Sequence, residues 1–97
     1  AMSVFEDPAH PGEVLKELYL DPLGIGVIAF ARHLNVPRTR IERLIRTETR
    51  VTPDTALRLA RALNTTSAYW MNMQTSYDMA IAARNTDVSG IEPIVAA

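Results

Sequence analysis

Between Val27 and Ile45 two apolar stretches of helical spacing are separated only by Asn35, Val36 and Pro37. Ile28, Ala31 and Leu34 recur at one helical period before the break, and Ile41, Leu44 and Ile45 resume it afterwards. So short a connection makes the second helix fold back across the first, which leaves no room for a strand between them. Asn35 tolerates the left-handed backbone that such a turn demands. Pro37 suits the first position of the next helix.

Similar punctuation divides the rest of the chain. His10-Pro11-Gly12-Glu13 opens a first helix with Val14, Leu15, Leu18 and Tyr19 on one stripe, and Asp21-Pro22 is expected to stop it. Thr52-Pro53-Asp54 combines a hydroxyl cap, a first-position proline and an acid, and predicts a fourth helix to about Leu63. Thr65-Thr66 caps a fifth and longest helix, from Ser67 to about Ala83, which contains no Gly or Pro. The expected fold class is therefore all-α: a compact five-helix domain over residues 10–84, an N-terminal arm at 1–9 and a short extended C-terminal tail at 85–97. For Ile91, Pro93, Ile94 and Val95 in that tail the sequence leaves three options: an edge strand, a docked arm or a frayed end.

Charge narrows the function. The 97 residues carry a formal net charge of −1, which by itself argues against a nucleic-acid partner. The average conceals a segregation. Residues 1–31 hold five acids and Lys16, whereas residues 32–61 hold eight bases, all arginine, against Glu42, Glu48 and Asp54. Arginine presents a planar fork suited to phosphates and guanine edges, so this middle block has the character of a nucleic-acid footprint.

A basic second helix joined to a short first helix by a tight turn is the arrangement that sets a recognition helix in the DNA major groove. Ala31, Asn35, Val36, Ile41 and Leu44 occupy the positions that a helix-turn-helix needs small, turned or apolar. In that register Pro37 starts the recognition helix, and Arg38, Thr39 and Arg43 point toward base edges with Arg40 beside them. Arg32, Arg46 and Arg50 are placed to hold phosphates. Such a small reader binds as a two-fold dimer. On the fifth helix Trp70, Met73, Tyr77 and Ile81 make one apolar stripe, and Ala68, Met71, Met79 and Ala82 lie on a second; the expected dimer surface is Trp70, Met71, Met73, Tyr77 and Met79.

Other functional classes find little support. There is no Cys, so disulfide scaffolds and thiolate metal sites are excluded. His10 and His33 stand near no nucleophile motif, Ser3, Ser67, Ser76 and Ser89 carry no elbow, and the four glycines form no phosphate loop. Asp7, His10 and Glu13 read as a helix start rather than a metal site. No catalytic residue, metal or cofactor is expected. No apolar run approaches the roughly 20 residues needed to span a bilayer, so no membrane partner is expected and a cytoplasmic location is.

Four stretches together resemble one family: His10-Pro-Gly-Glu-Val-Leu15, the helix-turn-helix core, Thr52-Pro-Asp-Thr-Ala-Leu-Arg-Leu59, and Trp70-Met-Asn-Met-Gln74 with Tyr77-Asp78-Met79. These are similar to the HigA-like, VapI-type antitoxins of the Cro/C1 or XRE-like helix-turn-helix group, over roughly residues 8–84. The resemblance implies a lambda-repressor-like helix-turn-helix fold and a bacterial antitoxin. Such a protein neutralises a HigB-type mRNA-cleaving toxin and, as a dimer, represses their operon at palindromic double-stranded operator DNA. Some members are solitary regulators without a toxin, and a protein-interaction module with little DNA affinity is the other alternative. Two departures stand out: Asn35 replaces the usual turn glycine, and Glu48 is read as standing where members often carry glycine. A basic ribonuclease partner would favour an acidic surface, which Glu6, Asp7, Glu13 and Glu17 supply.

Overall fold

The structure is a computed structural model that describes residues 7–96. Among these residues five helices run in order: α1 (residues 11–23), α2 (Val27–Leu34), α3 (Arg38–Ile45), α4 (Pro53–Leu63) and α5 (Ser67–Asn85). Among the described residues there is no strand, and the core is one cluster to which all five helices contribute.

α1 begins as its sequence dictates. His10 is the N-cap, its Nδ1 accepting from the Gly12 amide at 2.9 Å, and Pro11 sits in the first turn. Asp21-Pro22 does not stop the helix. The chain stays helical through Leu23 by widening into a π-helical stretch over Leu15–Leu20, in which the Asp21 amide reaches back to the Lys16 carbonyl. A proline inside a regular helix lacks a donor and collides with the carbonyl four residues before it; the wider ring admits Pro22 without breaking the helix. Its register also shifts, so that Leu20 is buried while Leu18, expected on the core stripe, is 63% exposed. Gly24, left-handed at φ 65°, ends the helix.

α2 ends as expected on Asn35, which is left-handed at φ 60° and ψ 47°. Its amide donates to the carbonyls of Ala31 and Arg32, and Val36 donates to Ala31 at 3.0 Å. Pro37 departs from the expectation. Its ψ of 142° is extended, so it is the N-cap residue and α3 starts at Arg38, with the Arg40 amide donating to the Pro37 carbonyl at 3.0 Å. Ile41 and Leu44 of α3 are fully buried against Phe30, Ala31 and Leu34 of α2. Thr52 caps α4 and Thr66 caps α5, each hydroxyl accepting from the amide three residues on.

Trp70 is at the centre of the core with no exposed surface, its Nε1 donating to Thr65 Oγ1 at 2.7 Å. The tail from Thr86 to Ala96 is exposed throughout. Among the described residues it holds only local bonds such as that of the Ser89 amide to the Asp87 carboxylate, and it forms neither strand nor docked arm there.

Candidate nucleic-acid interface

α3 stands at the surface because its two buried residues, Ile41 and Leu44, lie on one side and leave Arg38, Thr39, Arg40 and Arg43 exposed on the other. Its position is set from beneath by α1. Gly12 is buried, and a β-carbon there would stand 1.8 Å from the Leu44 carbonyl oxygen, so the first turn of α1 abuts the end of α3 at a distance only glycine allows.

The end of α3 closes in a tight left-handed turn. The Thr47 amide donates to Leu44 and the Glu48 amide to Arg43, at 3.0 and 2.9 Å, with Thr47 itself at φ 62°. The left-handed residue of this turn is Thr47, directly before Glu48.

From this turn the chain is clamped to α5. The buried Gln74 accepts from the Val51 amide at 2.7 Å through Oε1 and donates to Asp78 Oδ1 at 2.9 Å through Nε2, while Arg50 donates to the other Asp78 oxygen at 2.6 Å. The Arg50 guanidinium holds the Asp78 carboxyl below the usual carboxylate range. His10 joins the same cluster. Its ring meets Tyr77 edge-on at 4.8 Å, and the Thr49 carbonyl accepts from it. Burial pushes the imidazole below the ordinary histidine value, against the opposing pull of Glu13, Thr49 and Asp78. Both ring nitrogens are thereby committed to holding backbone.

The arginines divide into two sets. Arg38 pairs loosely with Glu42 at 3.4 Å, Arg40 with Asp54 at 2.5 Å and Arg50 with Asp78. Arg58 donates to both Asp54 oxygens and, at 2.9 Å, to the Leu34 carbonyl, so it ties the end of α2 to the start of α4. Among the described residues Arg32, Arg43 and Arg46 form no ion pair. Arg32 and Arg46 line a shallow depression with Gly26 and Ile28, where the amide end of α2 meets the end of α3. That placement brings a cationic pair to a positive helix end. Of the sequence-derived set, Arg32 and Arg38 line one shallow depression and Arg32 and Arg46 a second, while Arg40 and Arg50 are turned toward carboxylates of α4 and α5.

A helix-turn-helix family model, HTH_3, matches residues 15–70. The chain belongs to that family. Among its relatives is the Virulence-associated protein I of Dichelobacter nodosus, 44% identical over 81 residues that cover 82% of this chain and 75% of the relative. The Antitoxin HigA-1 of Vibrio cholerae is 36% identical over 72 residues, covering 74% and 68%. The solved structure of the Pseudomonas aeruginosa antitoxin HigA with the higBA promoter superposes with a TM-score of 0.84 at 34% identity, over 91% of this chain and 99% of that one.

Within this family frame the late W-x-N-x-Q-x-x-YD element acquires a structural meaning. Trp70 fills the core, Gln74 and Asp78 clamp the loop behind α3, and Tyr77 packs on His10. Trp70 is therefore withdrawn from the expected dimer surface, because a residue wholly buried in one protomer has nothing to offer another. Met73 and Met79 line a groove between the first turns of α1 and the length of α5, with Val14, Tyr69 and Ala83. Met71 and Tyr77 lie outside that groove and are partly exposed. Of the four acids expected to meet a basic partner, Glu6 lies outside the described residues, Asp7 pairs with Arg84 at 3.3 Å, and Glu13 and Glu17 are exposed on α1. Among the described residues no helix is long and apolar enough to cross a membrane.

Proposed function

We propose that this chain is the antitoxin of a toxin–antitoxin pair and represses its own operon by binding double-stranded operator DNA as a dimer. The observation that carries the reading is the first turn of α3, where Arg38 and Thr39 stand exposed with Arg43 one turn on, over a helix seated by Gly12. Arg38 and Arg43 read guanine edges, and Arg32 and Arg46 hold flanking phosphates. Met73 and Met79 in the groove along α5, with Met71 and Tyr77 beside it, face a second copy, and Glu13 and Glu17 on α1 face a basic ribonuclease toxin. The HigA–promoter structure supports the DNA half of this reading, and the antitoxin names among the relatives support the other half. No enzymatic step is part of it.

Two experiments test it. A gel shift with the chain's own promoter should give a retarded band that a scrambled duplex does not compete away. Co-expression with the product of the neighbouring gene should yield a stable complex and relieve growth arrest. Absence of both results overturns the reading, and a shift without a partner leaves a solitary regulator.

A further inference from the structure

Asp54 sits in the first turn of α4 with a carboxylate shared between two guanidiniums from different helices. Arg58 is held independently of it by the Leu34 carbonyl, so Arg58 would keep its place if the carboxylate were neutralised. Arg40 has no such second anchor among the described residues. It lies in the first turn of the recognition helix, and its ion pair there is with Asp54, across 14 residues of sequence. Both side chains are about half exposed, so the pair stands at the surface where duplex phosphate would approach. A carboxylate and a phosphate oxygen compete for the same guanidinium fork.

We infer that Asp54 is a resident stand-in for DNA phosphate, holding Arg40 off the duplex and thereby limiting sequence-independent affinity. The inference rests on the DNA-binding reading above and adds an internal regulator to it. Non-specific binding scales with the number of phosphates neutralised, each adding about 0.9 to the salt exponent on B-form DNA. A chain that keeps one recognition-helix arginine occupied binds random duplex more weakly than its cation count implies. It spends less time on sites that Arg38 and Arg43 do not match.

Asp54→Asn is the direct test, read by titrating a scrambled duplex and the chain's own promoter across salt concentrations. Affinity for the scrambled duplex should rise roughly three- to tenfold at low salt, and the salt exponent should steepen by about 0.9, one additional phosphate. In an Arg40→Gln background the same substitution should change neither quantity. Glu92→Gln, which removes an equal charge from the exposed tail, controls for net charge and should leave the salt exponent as it was. Asp54→Ser keeps a residue suited to a helix start and should repeat the result if the amide perturbs folding. An unchanged exponent in both Asp54 variants, or an equal gain from Glu92→Gln, overturns the inference while leaving wild-type promoter binding intact. Loss of promoter binding by the wild-type chain would instead overturn the reading on which it rests.

Discussion

Gly12 and the Leu44 carbonyl define how far the recognition helix stands from the body of the protein, since a β-carbon on the one would meet the oxygen of the other at 1.8 Å. Backbone cannot yield as a flexible side chain can. Gly12→Ala should cost about 3 kcal/mol, the upper end for overpacking a close-fitted core. It should displace α3 enough that promoter affinity falls further than the loss of folded protein explains. Thermal melts and promoter titrations on the same preparation separate the two effects.

Thr47 holds a left-handed conformation that disfavours a β-branched residue by roughly 1–2 kcal/mol, partly offset by the chain entropy glycine would lose on folding. Thr47→Gly should therefore stabilise the domain by about 1 kcal/mol. A gain of that size raises the melting temperature of a domain this small by roughly 4–8 °C. A melting temperature at or below that of the wild type would contradict the assignment of strain to this turn.

His10 gives stability a specific dependence on pH. Burial lowers its folded pKa beneath the ordinary value of 6.5, so folding is favoured by the neutral ring above pH 6.5, and that contribution is lost as pH falls through 6.5 toward the lowered value. Protonation at Nδ1 would also set two donors against each other at the Gly12 amide. The melting temperature should decline between pH 7 and pH 5. Asparagine still caps a helix but does not titrate, so His10→Asn should flatten that decline. The aspartates held low by their partners, Asp54, Asp78 and Asp87, lose their contribution only in the carboxylate range, below this window.

Gln74 is buried and is the acceptor for the Val51 amide. Gln74→Leu keeps the bulk but orphans that amide, at a cost of about 1–3 kcal/mol. Hydrogen exchange should accelerate at Val51 first, before the core strengthens or weakens elsewhere.

Arg38→Ala and Arg43→Ala should each abolish preference for the promoter over scrambled DNA without lowering the melting temperature. Arg32→Ala and Arg46→Ala should instead weaken binding to both duplexes and flatten the salt exponent by about 0.9 each. Footprints unchanged in both of the first pair would remove α3 from the role of reader.

What the sequence disclosed, it disclosed locally. The Asn35 amide closes on carbonyls of the helix it ends, Thr52 and Thr66 accept from amides three residues on, and their turns and caps formed where the letters placed them. Leu18 and Pro22 escaped it because a π-helical turn changes the period on which stripe counting depends. α5 offered two apolar stripes, and the choice between core and surface for Trp70 depended on where α1 and α4 stand, which no single helix encodes. The pairing of Arg40 with Asp54 and Arg50 with Asp78 spans 14 and 28 residues and was invisible to a count of charges. The arginine cluster was legible as a cluster, but which of its members were already engaged was not.

Asn35 and Asn64 each turn the chain by one left-handed residue, and the longer link after α3 closes on Thr47 and is pinned to α5 through Gln74 and Asp78, so the helices on either side of α3 are held with little slack. A frame built this way offers the recognition helix no hinge on which to tilt toward a new target. A change of target then has to come from the side chains that α3 presents rather than from re-aiming the helix. Under the proposed reading, substitutions at Arg38, Thr39 and Arg43 change the target while the scaffold beneath them stays as it is.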